Sequence, residues 1–246
     1  MTDQERRKRY DALRRKLPGL FTNVPDAGYT ILFEPTLVDA AEASERARLA
    51  SRGLPESWGS TGVVYADPYT LVVRDAVRRP DGSLGTYART IPASGAAGAA
   101  ILPVIGGQVV LLRHFRHATR AWHLEIPRGF GEPGVSAADQ ARQELREEIG
   151  ADADSLTGLG PFHSNTGMAS DQVELFLAEI HEFGDPQTAE GISLVETCPP
   201  DRVGQLIDSG EISDSFTIGA FTRAWLRGLL PGLPAPPHQG SSPGAT

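Results

Sequence analysis

Apolar positions recur at two different periods along this chain and divide it into helical and extended segments. Tyr10, Leu13 and Leu17 fall three and four apart, which predicts a short amphipathic helix over residues 4–16, ending before Pro18. An alanine-rich stretch reaching Arg52 predicts a second helix. There Thr36 and Asp39 are spaced as a capping box, and Gly53 stands just past the end. Residues 63–77 and 86–91 read as strands of an antiparallel hairpin, with Pro80, Asp81 and Gly82 supplying the turn. Residues 99–104 and 108–115 form a more apolar pair around Gly106 and Gly107, a two-glycine turn of the kind hairpins favour.

A helix follows from Ser136, a good N-cap, to Ile149, with Gly150 at its end. Residues 173–180 alternate loosely as a strand and residues 192–196 form a shorter one. Residues 201–209 and 214–230 read as helices, the second presenting Phe216, Ala220, Trp225 and Leu229 to a core. From residue 231 to 246 the composition turns to Pro, Gly and Ser, which predicts a disordered tail. No internal repeat is evident.

Composition narrows the class of protein. The chain has 246 residues, 40% hydrophobic and 22% charged, enough for a well-buried core and unlike a disordered or collagenous chain. Its 23 basic and 31 acidic residues give a net charge of −8, which argues against general nucleic-acid binding. The first 20 residues carry +4, so a basic first helix precedes an acidic body; a solvated charged face is the simplest reading of it. A single cysteine, Cys198, has no companion for an internal disulfide or a structural zinc site. No apolar run approaches the roughly 20 residues that span a bilayer, and the amino end lacks a signal-like stretch, so a cytoplasmic protein without membrane attachment is expected.

The chemistry concentrates in the 136–149 helix. Glu144, Glu147 and Glu148 are spaced i, i+3, i+4, so their carboxylates emerge on one helical face. Hard oxygen ligands clustered in this way suit Mg²⁺ or Mn²⁺, which also bridge substrate phosphates. Taken alone, three glutamates beside Arg142 and Arg146 would more simply form a solvated face.

The wider pattern changes that balance, because residues 129–151 resemble the Nudix box, G-x5-E-x7-R-E-U-x-E-E-x-G-U with U aliphatic. Gly129, Glu144, Leu145, Glu147, Glu148 and Gly150 match, and Ala151 is a small substitute at the last position. Val135 and Gln143 stand where the box has Glu and Arg, with Glu132 near enough in the loop to compensate for the first. Before the box, Arg116 and Glu125 match the strand, loop and strand of the ADP-ribose and nucleotide-sugar pyrophosphatase subgroup. After it, Thr166 in the stretch His163 to Gly167 occupies the Pro position of that subgroup's Ser-Pro-Gly turn, which keeps the substrate class broad.

The resemblance implies an α/β (α+β) fold, a Nudix α/β/α sandwich with a mixed sheet, preceded by a small antiparallel sheet that mediates homodimerisation. Domains are then expected at residues 1–58 (helical extension), 59–95 (small sheet), 96–230 (Nudix body) and 231–246 (tail). It implies Mg²⁺ or Mn²⁺ held by Glu144, Glu147, Glu148 and the carbonyl of Arg128, with Arg113, Arg116 and Glu125 binding substrate. Glu190, in a Gly- and Pro-containing loop, is the candidate general base, with Glu182 second. The implied activity is Mg²⁺-dependent hydrolysis of a nucleoside diphosphate linked to a sugar or similar group. The alternative is a nucleotide-binding regulatory domain with reduced catalysis, motivated by Val135 and Gln143. His114, His117 and His123 read as surface or hydrogen-bonded histidines, and Trp122 as a residue that stacks on a base or packs at a contact.

Overall fold

Helix α1 (Asp3–Lys16) opens on a reciprocal cap: the Thr2 side chain accepts from Glu5 N while the Glu5 carboxylate accepts from Thr2 N. Its inward residues Tyr10 and Leu13 share a core with Phe21, Val63, Val73 and Ile91. The computed structural model describes residues 2–185 and 188–234. They divide into two units, one running up to Gly95 with Asn165–Asp171 added, the other comprising Ala96–Ser164 and the chain from Gln172 onward.

In the first unit the predicted second helix is α2 (Pro35–Ala50), but its N-cap differs from the expectation. Glu34, not Thr36, accepts from the Thr36 and Leu37 amides, because Pro35 occupies the first helical position and needs no amide partner. The sheet holds β1 (Thr30–Ile31), β2 (Gly62–Ala66), β3 (Thr70–Arg78) and β4 (Leu84–Pro92). The single strand expected over residues 63–77 is therefore two, broken where Asp67 Oδ1 accepts from the Tyr69 and Thr70 amides in a tight turn. Strand β3 is central, pairing antiparallel with β4, β2 and β1. Helix α1 packs onto this sheet through the core just described and α2 through a second cluster of Leu32, Ala41 and Ala76, and β4 also meets the 165–171 segment, where Thr90 N donates to Met168 O at 2.8 Å.

The second unit is built on β5 (Gly98–Ile105) and β6 (Gln108–Arg116), joined at Gly106 and Gly107, whose φ values of 55° and 81° a side-chain-bearing residue would resist. The two strands pair only at Val104 with Val109 and Ile105 with Gln108, then diverge. Strand β7 (Ala121–Glu125) takes the place beside β6, and β8 (Arg128–Gly129) pairs with Ala99 and Ala100 of β5. Strand β9 (Ser155–Phe162), β10 (Val173–Glu179) and β11 (Ile192–Cys198) complete a sheet in the order β11-β6-β5-β10-β9, with β5 and β10 parallel.

Alternation along β5 and β6 sets the layers. Ala99, Ile101, Val110 and Leu112 face Ala141, Leu145 and Ile149 of helix α3 (Ala137–Ile149). Ala100, Leu102, Val109 and Leu111 face helices α4 (Pro200–Asp208) and α5 (Ser215–Leu226) through Val203, Leu206, Phe216 and Ala220. A strand buried on both faces reads as a continuous apolar run, which is why β5 does. Burying side chains such as Leu145 and Ile149 contributes roughly 1.5–3 kcal/mol each, so α3 is held to the sheet independently of its charged residues. The result is the expected α/β/α sandwich with a mixed sheet. Helix α5 ends at Leu226, earlier than residue 230, and the expected tail begins in order: Leu233 packs on the core and Trp225 Nε1 donates to Pro234 O at 2.9 Å. The remainder of that tail lies outside the described residues.

Candidate active site

Helix α3 starts at Ser136, whose hydroxyl accepts from Asp139 N, and stops at Gly150 with φ 62°, as its sequence predicts. Its 3.6-residue period turns Glu144 and Glu148 inward with Leu145 and Ile149, and both carboxylates are buried. Glu147 is placed on the exposed side of the same turn, where its carboxylate accepts from Gln143 Nε2 at 2.8 Å. The structure therefore brings Glu144 and Glu148 together beneath the sheet loop and leaves Glu147 at their rim.

Neither inward carboxylate forms an ion pair among the described residues. Glu144 accepts from Gln140 Nε2 at 2.6 Å, and Glu148 accepts from the Arg128 amide at 3.1 Å. Burial pushes the Glu148 carboxyl up to about 8 against the relief of that amide bond, and Glu144 adds to the rise. Burial raises Glu144 as well, with Gln140 opposing it and Glu147, Glu190 and Glu132 adding like charge. Two buried carboxylates that lack an ion-pair partner among the described residues, with Glu148 eased by the Arg116 charge from beyond ion-pair distance, form a donor set that suits a hard divalent ion. No group of three His, Cys, Asp or Glu side chains is gathered closely enough to hold a metal ion unaided among the described residues.

Strands β6 and β7 supply the basic side of the site. Glu125 is 1% exposed and sits among Arg116, His114 and Arg128: Arg116 Nε donates to its Oε2 at 3.1 Å, His114 Nδ1 lies 3.1 Å from Oε1, and Arg128 Nη2 lies 3.7 Å from Oε2. Burial alone would raise the Glu125 carboxyl, but these partners hold it below the ordinary range. Glu125 thus acts on Arg116 rather than standing free, and Arg116 remains partly exposed. Arg113 is exposed, with its guanidinium 5.0 Å from the Trp122 ring centroid. His117 pairs with Arg120 and His123 with Thr119, both near the surface, whereas His114 belongs to the buried Glu125 cluster.

Glu190 ends a short 3-10 helix, Thr188–Glu190, and is exposed. It lies close enough to raise Glu144 electrostatically, unlike Glu182, which faces His181 at 3.8 Å. Val135 is an exposed apolar residue, and the acid of that loop that acts on Glu144 is Glu132. Sequence reading weighed His114 only as a surface or hydrogen-bonded histidine and missed Gln140, Asp214, which lies 3.6 Å from Arg128, and Thr217, which accepts from Ile126 N. Only Gln140 carried a local signal, lying one helical turn before Glu144 on the same face.

Comparison with known proteins identifies the family. The Nudix domain family matches residues 95–217. The chain is 30% identical over 128 residues to the ADP-ribose pyrophosphatase of Bacillus subtilis (strain 168), covering 50% of this chain and 69% of that protein. It is 25% identical over 135 residues to the ADP compounds hydrolase NudE of Escherichia coli (strain K12), covering 52% and 70% respectively. A solved structure of an ADP compounds hydrolase superposes with a TM-score of 0.60 at 21% identity, covering 69% of this chain and 92% of the other, which bears on the fold. With the box residues on α3, the sandwich around them and these matches in agreement, the chain belongs to the Nudix hydrolase family and is a pyrophosphohydrolase.

Proposed function

We propose that this chain hydrolyses the diphosphate bond of ADP-ribose or a similar nucleoside diphosphate joined to a sugar, using Mg²⁺ or Mn²⁺. The observation that carries the proposal is the buried pair Glu144 and Glu148, neither in an ion pair among the described residues, with Glu148 within electrostatic range of an arginine, Arg116, that Glu125 holds in place. The names of the two curated relatives support the ADP-sugar substrate class, and Nudix hydrolases generally use a divalent metal.

Glu144 and Glu148, with Glu147 and the Arg128 carbonyl, would hold the ion, which would supply charge neutralisation on the phosphates and activation of water. The chain's own residues do the rest. Arg116, its guanidinium oriented by Glu125, offers a fork that matches two phosphate oxygens, and exposed Arg113 adds a second cation. Glu190 takes the proton of the attacking water, a role suited to an exposed acid near the carboxylate pair. The new bond joins water oxygen to phosphorus, the bridging P–O bond breaks, and a nucleoside monophosphate and a phosphorylated partner leave. Trp122, exposed on β7, is available to stack on the base.

The proposal includes a cytoplasmic homodimer without nucleic-acid partners. Exposed Trp58, Tyr65 and Tyr69 of the first unit support the dimer, since aromatic surface is enriched at protein contacts, and light scattering reads the mass directly. A hydrolysis screen with Mg²⁺ and Mn²⁺ tests the activity, over ADP-ribose, nucleotide sugars, dinucleoside polyphosphates and deoxynucleoside triphosphates. Turnover of the first two classes, abolished by Glu148→Gln, is expected. Nucleotide-induced thermal stabilisation without turnover on any of them would instead favour the regulatory reading that Val135 and Gln143 motivate.

A further inference from the structure

Residues 126–128 carry the chain from β7 into β8, and all three of their peptide units are tied down. Ile126 N donates to Thr217 Oγ1 at 3.1 Å, the Pro127 carbonyl accepts from Ile101 N at 2.9 Å, and Arg128 N donates to Glu148 Oε2 at 3.1 Å. Two of these ties lead to helix α5 or to the catalytic helix α3. Thr217 is fully buried, at 0% exposure, and its hydroxyl also donates to Asp214 Oδ2 at 2.8 Å. The same Asp214 oxygen accepts from Thr217 N at 2.9 Å, which caps α5.

Capping accounts for one oxygen of Asp214. Its other oxygen, Oδ1, lies 3.6 Å from Arg128 Nη2, and that guanidinium stands 4.8 Å over the Phe216 ring. The first turn of α5 therefore grips the 126–128 segment twice, at the Ile126 amide and at the Arg128 side chain. Between those two grips lies the peptide whose N–H points at Glu148.

The geometry points to Asp214 and Thr217 as positioning residues for Glu148. They fix residues 126–128 so that the Arg128 amide stays aimed at the Glu148 carboxylate, and they fix the peptide that precedes the box glycine. This rests on the proposed metal-dependent hydrolysis. Removing the Thr217 hydroxyl leaves the Ile126 N–H buried without a partner, and the segment relieves that by shifting, which carries the Arg128 amide away from Glu148. Asp214→Asn keeps an N-cap oxygen but removes the charge that faces Arg128. Partners of this kind around metal ligands typically alter metal affinity or activity by about 10–100-fold.

The test uses the full-length chain, with free Mn²⁺ followed by electron paramagnetic resonance and ADP-ribose hydrolysis followed in parallel. All measurements are made at a temperature where a thermal melt shows each variant folded. Thr217→Val is expected to weaken Mn²⁺ binding about 10-fold or more and to lower kcat with little change in KM. Thr217→Ser restores both, and Asp214→Asn falls between wild type and Thr217→Val. A lower melting temperature with unchanged Mn²⁺ affinity and kcat in Thr217→Val and Asp214→Asn overturns the inference, as does a Thr217→Ser variant as defective as Thr217→Val. If Thr217→Val does not fold, Asp214→Asn decides the matter by the same readouts. A wild-type protein that neither binds Mn²⁺ nor hydrolyses the substrate overturns the function on which the inference stands, and the inference with it.

Discussion

Gly129 lies directly against the carboxylate of Glu144: a Cβ at that glycine would overlap Glu144 Oε1, Cδ and Oε2 at once. The overlapping atoms belong to the end of a side chain, so the fold can yield while the site cannot. Gly129→Ala is therefore expected to keep a melting temperature near that of the wild type while lowering kcat by about 10–100-fold, the range seen when metal ligands lose their orientation. Gly131→Ala provides the contrast, since a Cβ there would strike the Ala97 carbonyl, which is backbone. That variant should lose stability as well as activity. Parallel melts and steady-state kinetics separate the two outcomes.

Glu148 gives the metal-free protein a characteristic pH dependence. Its carboxyl is raised from 4.5 to about 8 by burial, so the folded state favours the neutral form. The stability associated with that preference is fully present below 4.5 and is lost as pH rises through about 8. In the presence of a chelator, the melting temperature should fall steadily across that interval. Glu148→Gln should flatten the decline, and saturating Mg²⁺ should reverse it, because a bound cation favours the ionised carboxylate. A chelated wild type whose melting temperature is level from mildly acidic to mildly alkaline pH would contradict the assignment.

The first unit should respond to acid in the opposite sense through Glu42. Burial alone would raise this carboxyl, but the Thr61 amide and hydroxyl, at 2.9 and 2.6 Å, and Arg7, at 3.1 Å, hold it below its ordinary value. Its contribution is present above the unfolded pKa of 4.5 and is lost as pH falls through the lower folded value. Glu42→Gln should cost about 1–3 kcal/mol at neutral pH, the scale of disturbing hydrogen bonds to a buried charged group. Urea unfolding at neutral and acidic pH checks both parts, since the difference from wild type should shrink in acid.

Elements with strong local signals were readable from the residues: Ser136 and Gly150 bound α3, Gly106 and Gly107 turn β5 into β6, and the unbroken apolar run of β5 marks a strand buried on both faces. Strand β9 was not readable, because Gly158, Gly160 and Pro161 hide an edge strand that, among the described residues, pairs with β10 alone. The break between β2 and β3 turns on one aspartate bonding to two amides, a signal weaker than the apolar residues around it. In the site, the glutamates of α3 could be placed by helical period. The His114 contact with Glu125 and the Thr217 bond to Ile126 could not, because they join separate elements and depend on tertiary packing.

The two glutamines of α3 should differ sharply in importance, although only Gln143 stands at the box arginine position. Gln143 bonds to Glu147 on the exposed side of the helix at 2.8 Å, where a side-chain pair at i, i+4 contributes about 0.2–0.5 kcal/mol. Gln140 is 2% exposed and donates at 2.6 Å to Glu144, which has no other hydrogen-bond partner among the described residues. Gln143→Ala should therefore leave stability and the metal requirement close to wild type. Gln140→Leu fills a similar volume but removes the donor that opposes the rise in the Glu144 carboxyl. It should keep the fold, raise the Mg²⁺ concentration needed for half-maximal activity about 10-fold, and steepen the loss of activity towards acid. Mg²⁺ titrations of the two variants at several pH values measure this directly. Equal effects of the two substitutions would mean that Glu144 needs no oriented donor, and that the exposed Glu147 contributes as much to the site as the buried pair.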